Sequence, residues 1–176
     1  QLLLPRFRGA FAAVLMDRWG SEYDEDLDLL HRHSLLKCPG AVLVADNVLS
    51  TAAVGLLWRT GRGQVPGGNS PHYTSQTVAV EEVVDKSEDW VSISVASSYG
   101  AGVAPMPEPL SELQRRSSCL REQVVAANGR EVAEVEMPRL CQDARGLLPM
   151  ALLRAPDTAV TSASGAEKRR GRAITR

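Results

Sequence analysis

Acidic and amide side chains follow two short apolar runs of the sequence, and a helical pattern separates the two runs. Asp17 comes directly after Val14–Met16, and Asp46 and Asn47 come directly after Ala41–Ala45. Two carboxylates and an amide form a set of oxygen donors that suits Mg²⁺ and leaves coordination positions for water or substrate oxygens. Zn²⁺ would call for sulfur or imidazole ligands instead. Asp and Asn after a strand are also common turn formers, and that interpretation stays open at this point.

The elements that would position these side chains are a strand, a helix and a second strand. "GAFAAVLMD" and "CPGAVLVADN" have the length and apolar composition of buried strands, and "SEYDEDLDLLHRHSLLK" between them has apolar residues at helical spacing. Ser21 and Asp24 have the spacing of a capping box at the start of this helix. The order predicts a right-handed βαβ crossover with parallel strands buried on both faces. Both carboxylates would then project into one crevice at the carboxyl ends of the strands.

The sequence that follows predicts a second helix and an antiparallel hairpin. "STAAVGLLWRT", with Ser50 or Thr51 as its cap, is the helix, and "YTSQTVAVEEV" and "DWVSISVAS" alternate as hairpin strands. "GRGQVPGG" between helix and hairpin is interpreted as a flexible connection. We therefore expect an α/β unit over residues 1–99. Residues 100–176 are expected to form a Pro/Gly-rich boundary, one helix over 110–127 and a largely disordered basic tail, with little packed structure after the helix.

Composition narrows the class of protein further. The chain has 176 residues and a formal net charge of −1, so its overall charge predicts neither a nucleic acid nor an anionic membrane as partner. No apolar run approaches the roughly 20 residues of a membrane span. Its three cysteines are widely spaced, which is typical of a reducing compartment and predicts a cytoplasmic location. His31 and His33 would face different directions on a helix and so would not share a metal.

The stretch "VLMDRWGSEYDEDLDLLHRHSLLKCPGAVLVADNVL" resembles the second half of the catechol O-methyltransferases. That family has a strand ending in Asp-His-Trp-Lys, a helix, and a strand ending in Ala-Asp-Asn-Val. Asp17, Arg18 and Trp19 correspond to the first motif, and residues 45–48 match the second. The predicted hairpin resembles the last two strands of the family, so the resemblance covers about residues 1–97. It implies the carboxyl-terminal half of a class I methyltransferase. The sheet would be a partial Rossmann-like one, a parallel βαβ unit plus a C-terminal antiparallel hairpin, without its donor-binding half.

The resemblance implies a Mg²⁺-dependent methyl transfer from S-adenosylmethionine to one hydroxyl of a catechol. Asp17, Asp46 and Asn47 would hold Mg²⁺, and both catechol oxygens would bind the cation. Asp17, Arg18 and Trp19 would contact the methyl donor, with Trp19 as a wall beside donor and ring; packing in the core is the other interpretation of this Trp. The cation would lower the pKa of a bound hydroxyl, and positioning in line with the methyl group would supply much of the rate.

Three departures from the family pattern bear on activity. The general base of the family is a Lys directly after the Trp, and Gly20 stands in that place, a loss that typically costs roughly 10²–10⁴-fold. Arg18 replaces the His that would touch the adenine. The upstream strands and glycine-rich turn of the donor site have no counterpart, which predicts a fragment with an open parallel sheet edge prone to association. A non-catalytic remnant that acts as a binding or interaction module is therefore the alternative to an enzyme.

Overall fold

The main element of the fold is a mixed four-stranded sheet. The computed structural model describes residues 4–82, 86–126 and 130–152. The strand order is β1-β2-β4-β3, where β1 pairs with β2 in parallel and the other two pairs are antiparallel. The α/β class, the parallel strand–helix–strand unit and the hairpin expected from the sequence are thus confirmed. The elements in chain order are β1 (Ala13–Met16), α1 (Tyr23–Arg32), β2 (Val42–Ala45), α2 (Val54–Thr60), β3 (Gln64–Glu81), β4 (Glu88–Val103), α3 (Glu108–Ala126), α4 (Arg130–Leu147) and α5 (Pro149–Leu152), with 3₁₀ turns at Leu4–Phe7 and Gly20–Glu22.

The sheet is buried on one face and exposed on the other. Leu43 and Ala45 of β2 are each 1 % exposed, and they face the helices through the shared core. On the opposite face Leu15 of β1 is 70 % exposed and Val95 of β4 is 42 % exposed. The prediction that the strands are buried on both faces is therefore wrong for β1, because the helices in the described ranges pack against the first face.

Helices α1 and α2 begin without the side-chain caps that the sequence predicts. Ser21 lies in a 3₁₀ turn, and α1 begins at Tyr23 with no side-chain cap. Helix α2 begins at Val54 rather than near Ser50, and it too has no side-chain cap. Thr51 is buried and its hydroxyl donates to the carbonyl oxygen of Asn47, so a contact within the loop uses the group that would have capped the helix.

Strand β3 begins much earlier than the predicted hairpin, so the interpretation of "GRGQVPGG" as a flexible connection is wrong. The strand begins at Gln64 and pairs with β4 through several register shifts between Pro66 and Tyr73. The buried amide of Gln64 spans this irregular stretch, since its oxygen accepts from the backbone N–H of Tyr73 at 2.6 Å and its nitrogen donates to the Tyr73 carbonyl at 2.9 Å. A polar side chain thus replaces the backbone pairing that the bulge interrupts.

The helices after the sheet pack on the same core as the strands. Helix α3, at Glu108–Ala126, corresponds to the helix expected over 110–127, but α4 was not predicted. Leu113 and Leu120 of α3 and Leu140 of α4 are at most 6 % exposed and belong to one cluster with the sheet residues, so the expectation of little packed structure is wrong up to residue 152. Strand β4 also crosses the predicted boundary at residue 100. The basic tail, residues 153–176, lies outside the described residues.

No helix in the part of the chain that the structure describes is both long enough and apolar enough to cross a bilayer.

Candidate metal site at the ends of β1 and β2

Asp17 and Asp46 leave neighbouring strands at the same edge of the sheet. Met16 of β1 is in register with Ala45 of β2, and these are the last paired residues of the two strands. The pairing continues one step further, because the backbone N–H of Asp46 donates to the carbonyl oxygen of Met16 at 2.9 Å. The carboxyl ends of two parallel strands therefore bring these acids and the following Asn47 together; we refer to Asp17, Asp46 and Asn47 as the strand-end site.

The three side chains of the strand-end site retain oxygen atoms that are free to bind a ligand. Asp17 is exposed and makes no hydrogen bond or ion pair with any described residue. Asp46 is half-buried and uses only its Oδ1, which accepts from the backbone N–H of Asn47 at 2.9 Å. Asn47 has the left-handed φ of 54° that Asn tolerates, and its Nδ2 donates to Asp89 at 3.3 Å. This all-oxygen set fits the preferences of Mg²⁺.

Tyr23 links the two strand ends from the first turn of α1. Its hydroxyl lies 2.9 Å from the carbonyl oxygens of both Arg18 and Asp46, and it accepts from the backbone N–H of Arg18 at 3.0 Å. Burial raises the pKa of Tyr23 to about 12, with further contributions from the charges of Asp17, Asp46 and Asp89. The phenol is therefore protonated near neutral pH and acts as a donor. Nothing in the local sequence pattern around Tyr23 indicates this role.

Asp89 is a buried carboxylate that the sequence analysis also missed. It is 2 % exposed and lies near the start of β4, where its Oδ1 accepts from the backbone N–H groups of Leu49, Ser50 and Trp90 at 2.7–3.1 Å. Its Oδ2 accepts from the side chain of Asn47. In the sequence this Asp is part of the polar break "SED", and nothing in the local pattern separates it from surface charge.

Arg18 and Trp19, which the resemblance assigns to the methyl donor, are held by other parts of the chain. The guanidinium of Arg18 pairs with Glu22 at 2.6 Å and with Asp26 at 2.9 Å. The indole nitrogen of Trp19 donates to the hydroxyl of Ser117 at 3.1 Å and to its carbonyl oxygen at 3.2 Å, and the ring packs against the core. The assignment of both side chains to the methyl donor stays a prediction.

Gly20, at the position of the family's base, has no space for a side chain. A Cβ atom at this residue would lie 2.9 Å from the Cα and Cβ of Ala53, and the backbone N–H of Gly20 donates to the Thr51 hydroxyl at 2.9 Å. Contacts shorter than 3.0 Å would force the backbone apart. The structure therefore explains the Gly by close packing of the two loops, and a Lys cannot stand there without rearrangement of the loop at residues 51–53.

Helix α3 holds the loops after both strands in place. Ser117 is fully buried, and its hydroxyl donates to the carbonyl oxygen of Thr51 at 2.6 Å while it accepts from Trp19. One turn earlier, Gln114 accepts from the backbone N–H of Gly55 at 3.1 Å and donates to the carbonyl oxygen of Ser21 at 3.3 Å. These contacts span more than 50 residues of sequence, so no local pattern could have predicted them.

No model of a known protein family matches the sequence, and no curated protein shows significant similarity to it. The fold and the site define the chain as an α/β protein with an acid- and amide-bearing edge at the carboxyl ends of two parallel strands.

Proposed function

We propose that this chain supplies the cation- and acceptor-binding half of a catechol-type O-methyltransferase site, with Asp17, Asp46 and Asn47 as the ligands of Mg²⁺. The observation that supports this most strongly is the register of β1 and β2, because the pairing of Asp46 with Met16 at 2.9 Å brings three oxygen-bearing side chains to one edge. The resemblance of residues 1–97 to the catechol O-methyltransferases supplies the reaction class.

Each ligand of the proposed site has a different role. Asp17 contributes an exposed carboxylate on the open side, and Asp46 contributes a carboxylate whose orientation its own hydrogen bond to the Asn47 backbone fixes. Asn47 contributes the neutral amide oxygen that its contact with Asp89 leaves free. When bound, Mg²⁺ would lower the pKa of a coordinated catechol hydroxyl.

A second candidate function is a binding module without methyl transfer. The observation that favours it is the close packing of Gly20 against Ala53, which leaves no place for a base beside Trp19. The engagement of Arg18 by Glu22 and Asp26 points the same way. Such a module would bind the cation, and a diol through it, but would lack the groups that hold the methyl donor and accept the proton.

A titration with Mg²⁺ tests the ligand set. The full chain, Asp46→Ala and Asp17→Asn are each titrated in a calorimeter. Asp17→Asn is the more specific test of the ligand role, because Asp17 is exposed and makes no contact that folding needs. We expect each variant to bind Mg²⁺ about tenfold more weakly or worse, since a carboxylate ligand is lost. Asp143→Asn on α4 is the matched control and should bind like the wild type. Equal affinity of Asp17→Asn and the wild type would contradict the proposal.

An activity assay separates the enzyme from the binding module. The full chain receives S-adenosylmethionine, Mg²⁺ and a catechol, and the methylated catechol is measured by mass spectrometry. Any longer version of the chain is assayed in the same way, because the donor-binding half has no counterpart in these residues. The enzyme predicts product, at least from the longer version, and Asp46→Ala should abolish it. The module predicts Mg²⁺ binding without product and without heat on titration with S-adenosylmethionine alone.

A further inference from the structure

The carboxylate of Asp89 is held in one orientation by the backbone around it. Its Oδ1 accepts from Leu49 at 3.0 Å, Ser50 at 3.1 Å and Trp90 at 2.7 Å. Burial removes the water that would solvate the charge of a carboxylate, so a buried carboxylate needs such donors. Three backbone donors on Oδ1 leave Oδ2 as the atom that contacts Asn47.

This contact determines which end of the Asn47 amide faces Asp89. An ionised carboxylate only accepts hydrogen bonds, and the amide of Asn has a donating nitrogen and an accepting oxygen. The Nδ2 of Asn47 therefore points to Oδ2 of Asp89, at 3.3 Å, and Oδ1 is directed away from it. Asn47 therefore keeps its amide oxygen, and not its nitrogen, free of the contact with Asp89.

We propose that Asp89 is a positioning residue for the strand-end site, which keeps the amide oxygen of Asn47, rather than its nitrogen, available to a divalent cation. The cation part of this inference rests on the proposed function. Asp89 also fixes the loop itself through Leu49 and Ser50. Groups that orient a metal ligand commonly contribute about 10–100-fold to metal affinity.

The exchange of Asp89 for Asn predicts an inversion of the Asn47 amide. The three backbone donors would hold the Oδ1 of the new Asn side chain, so its Nδ2 would take the place of Oδ2 and would donate. Asn47 would then turn its oxygen towards residue 89 and its nitrogen, which cannot bind a cation, towards the site. The double variant Asn47→Asp with Asp89→Asn restores a donor–acceptor pair and returns an oxygen to the site.

The test measures the Mg²⁺ affinity of the full chain by calorimetry. We expect Asp89→Asn to bind Mg²⁺ about tenfold more weakly or worse, the double variant to recover most of that loss, and Asp143→Asn to match the wild type. Asn47→Asp alone is measured beside the double variant, because a third carboxylate raises the affinity for a cation by itself. A residue that only stabilised the loop would lower the affinity in the Asn47→Asp background as well, whereas a positioning residue would not. Unchanged affinity in Asp89→Asn, or a double variant no better than Asp89→Asn, would overturn the inference.

Side-chain amide spectra test the orientation of Asn47 independently of the proposed function. The chain has three asparagines, Asn47, Asn69 and Asn128, so the ¹⁵N amide signal of Asn47 can be assigned by substitution. We expect its protons to exchange more slowly than those of the exposed Asn69, and its signal to move in Asp89→Asn. Absence of Mg²⁺ binding by the wild type would remove the proposed function, whereas exchange as fast as that of Asn69 would remove the orientation by Asp89 itself. The wild-type spectrum decides the second point even if Asp89→Asn does not fold.

Discussion

The hydroxyl of Tyr23 lies 2.9 Å from the carbonyl oxygen of Asp46, and this contact ties the first turn of α1 to the end of β2. The same hydroxyl lies 2.9 Å from the carbonyl oxygen of Arg18, which follows β1. One fully buried phenol thus bridges the backbones that carry Asp17 and Asp46. The spacing of the two acids depends on a residue that binds no ligand itself.

The variant Tyr23→Phe should destabilise the fold by about 1–3 kcal/mol, because the partly buried backbone groups of Arg18 and Asp46 lose their partner while the ring stays in place. Urea denaturation measures the change in the free energy of unfolding. Tyr99→Phe is the control: the residue is 44 % exposed and its hydroxyl interacts with the side chains of Cys38 and Ser34 rather than with backbone groups, so we expect a change within about 0.5 kcal/mol. Similar small changes in both variants would show that the bridge contributes little.

The variant Ser117→Ala should loosen α3 from the loops of the strand-end site. The buried hydroxyl donates to Thr51 and accepts from Trp19, so its removal should cost about 1–3 kcal/mol in the free energy of unfolding and shift the tryptophan emission. Ser118→Ala on the same helix removes only a hydrogen bond to Gln114 within that helix and should be nearly neutral. If Ser118→Ala matched Ser117→Ala in both measurements, α3 would have no specific role in holding Trp19.

The variant Gly20→Ala should destabilise the protein by about 1–3 kcal/mol, because the new methyl group would overlap Thr51 and Ala53. Gly146→Ala in α4 is the matched control, since a Cβ there meets open space and the substitution should add up to about 1 kcal/mol through helix propensity. Thermal unfolding of both variants gives the comparison. A Gly20→Ala variant as stable as the wild type would mean that the loops can move apart, and Gly20→Lys would then be worth an activity assay.

His31 should make the stability depend on pH between about 4 and 6.5. Burial, aided by the charge of Arg59, lowers the pKa of His31 from 6.5 to about 4. In this window the unfolded chain binds a proton that the folded chain does not, so the contribution is fully present above pH 6.5 and is lost as the pH falls towards 4. We expect the loss to be on the order of 1–3 kcal/mol.

Urea denaturation across this pH window, for the wild type and His31→Gln, measures the contribution of His31. The variant should show a smaller decrease in stability on acidification than the wild type. His33→Gln removes a histidine next to the same helix without touching Tyr73, whose hydroxyl lies 2.6 Å from Nε2 of His31, and should retain the wild-type slope. Parallel slopes for the wild type and His31→Gln would refute the assignment.

Local patterns were sufficient for the elements that frame the strand-end site. The apolar runs that end in Asp17 and Asp46 predicted β1 and β2, and the helical spacing between them predicted α1 and the parallel pairing. Local patterns led to wrong predictions where the same residues are typical of two kinds of structure. The glycines and prolines before Tyr73 resembled a loop, although Gln64 makes that stretch part of β3. Pro138 lies inside α4, where the sequence predicted no packed helix.

The sequence by itself determined the α/β class, the order of the first strands and the oxygen-rich ends of two of them, because hydrophobic periodicity and strand length are properties of neighbouring residues. Only the tertiary structure decided what surrounds those ends. Asn47 meets Asp89 across 42 residues of chain and Trp19 meets Ser117 across 98. A hydrogen bond between residues so far apart depends on how helices and strands pack. The sequence next to a buried acid such as Asp89 does not differ from the sequence next to an acid in solvent.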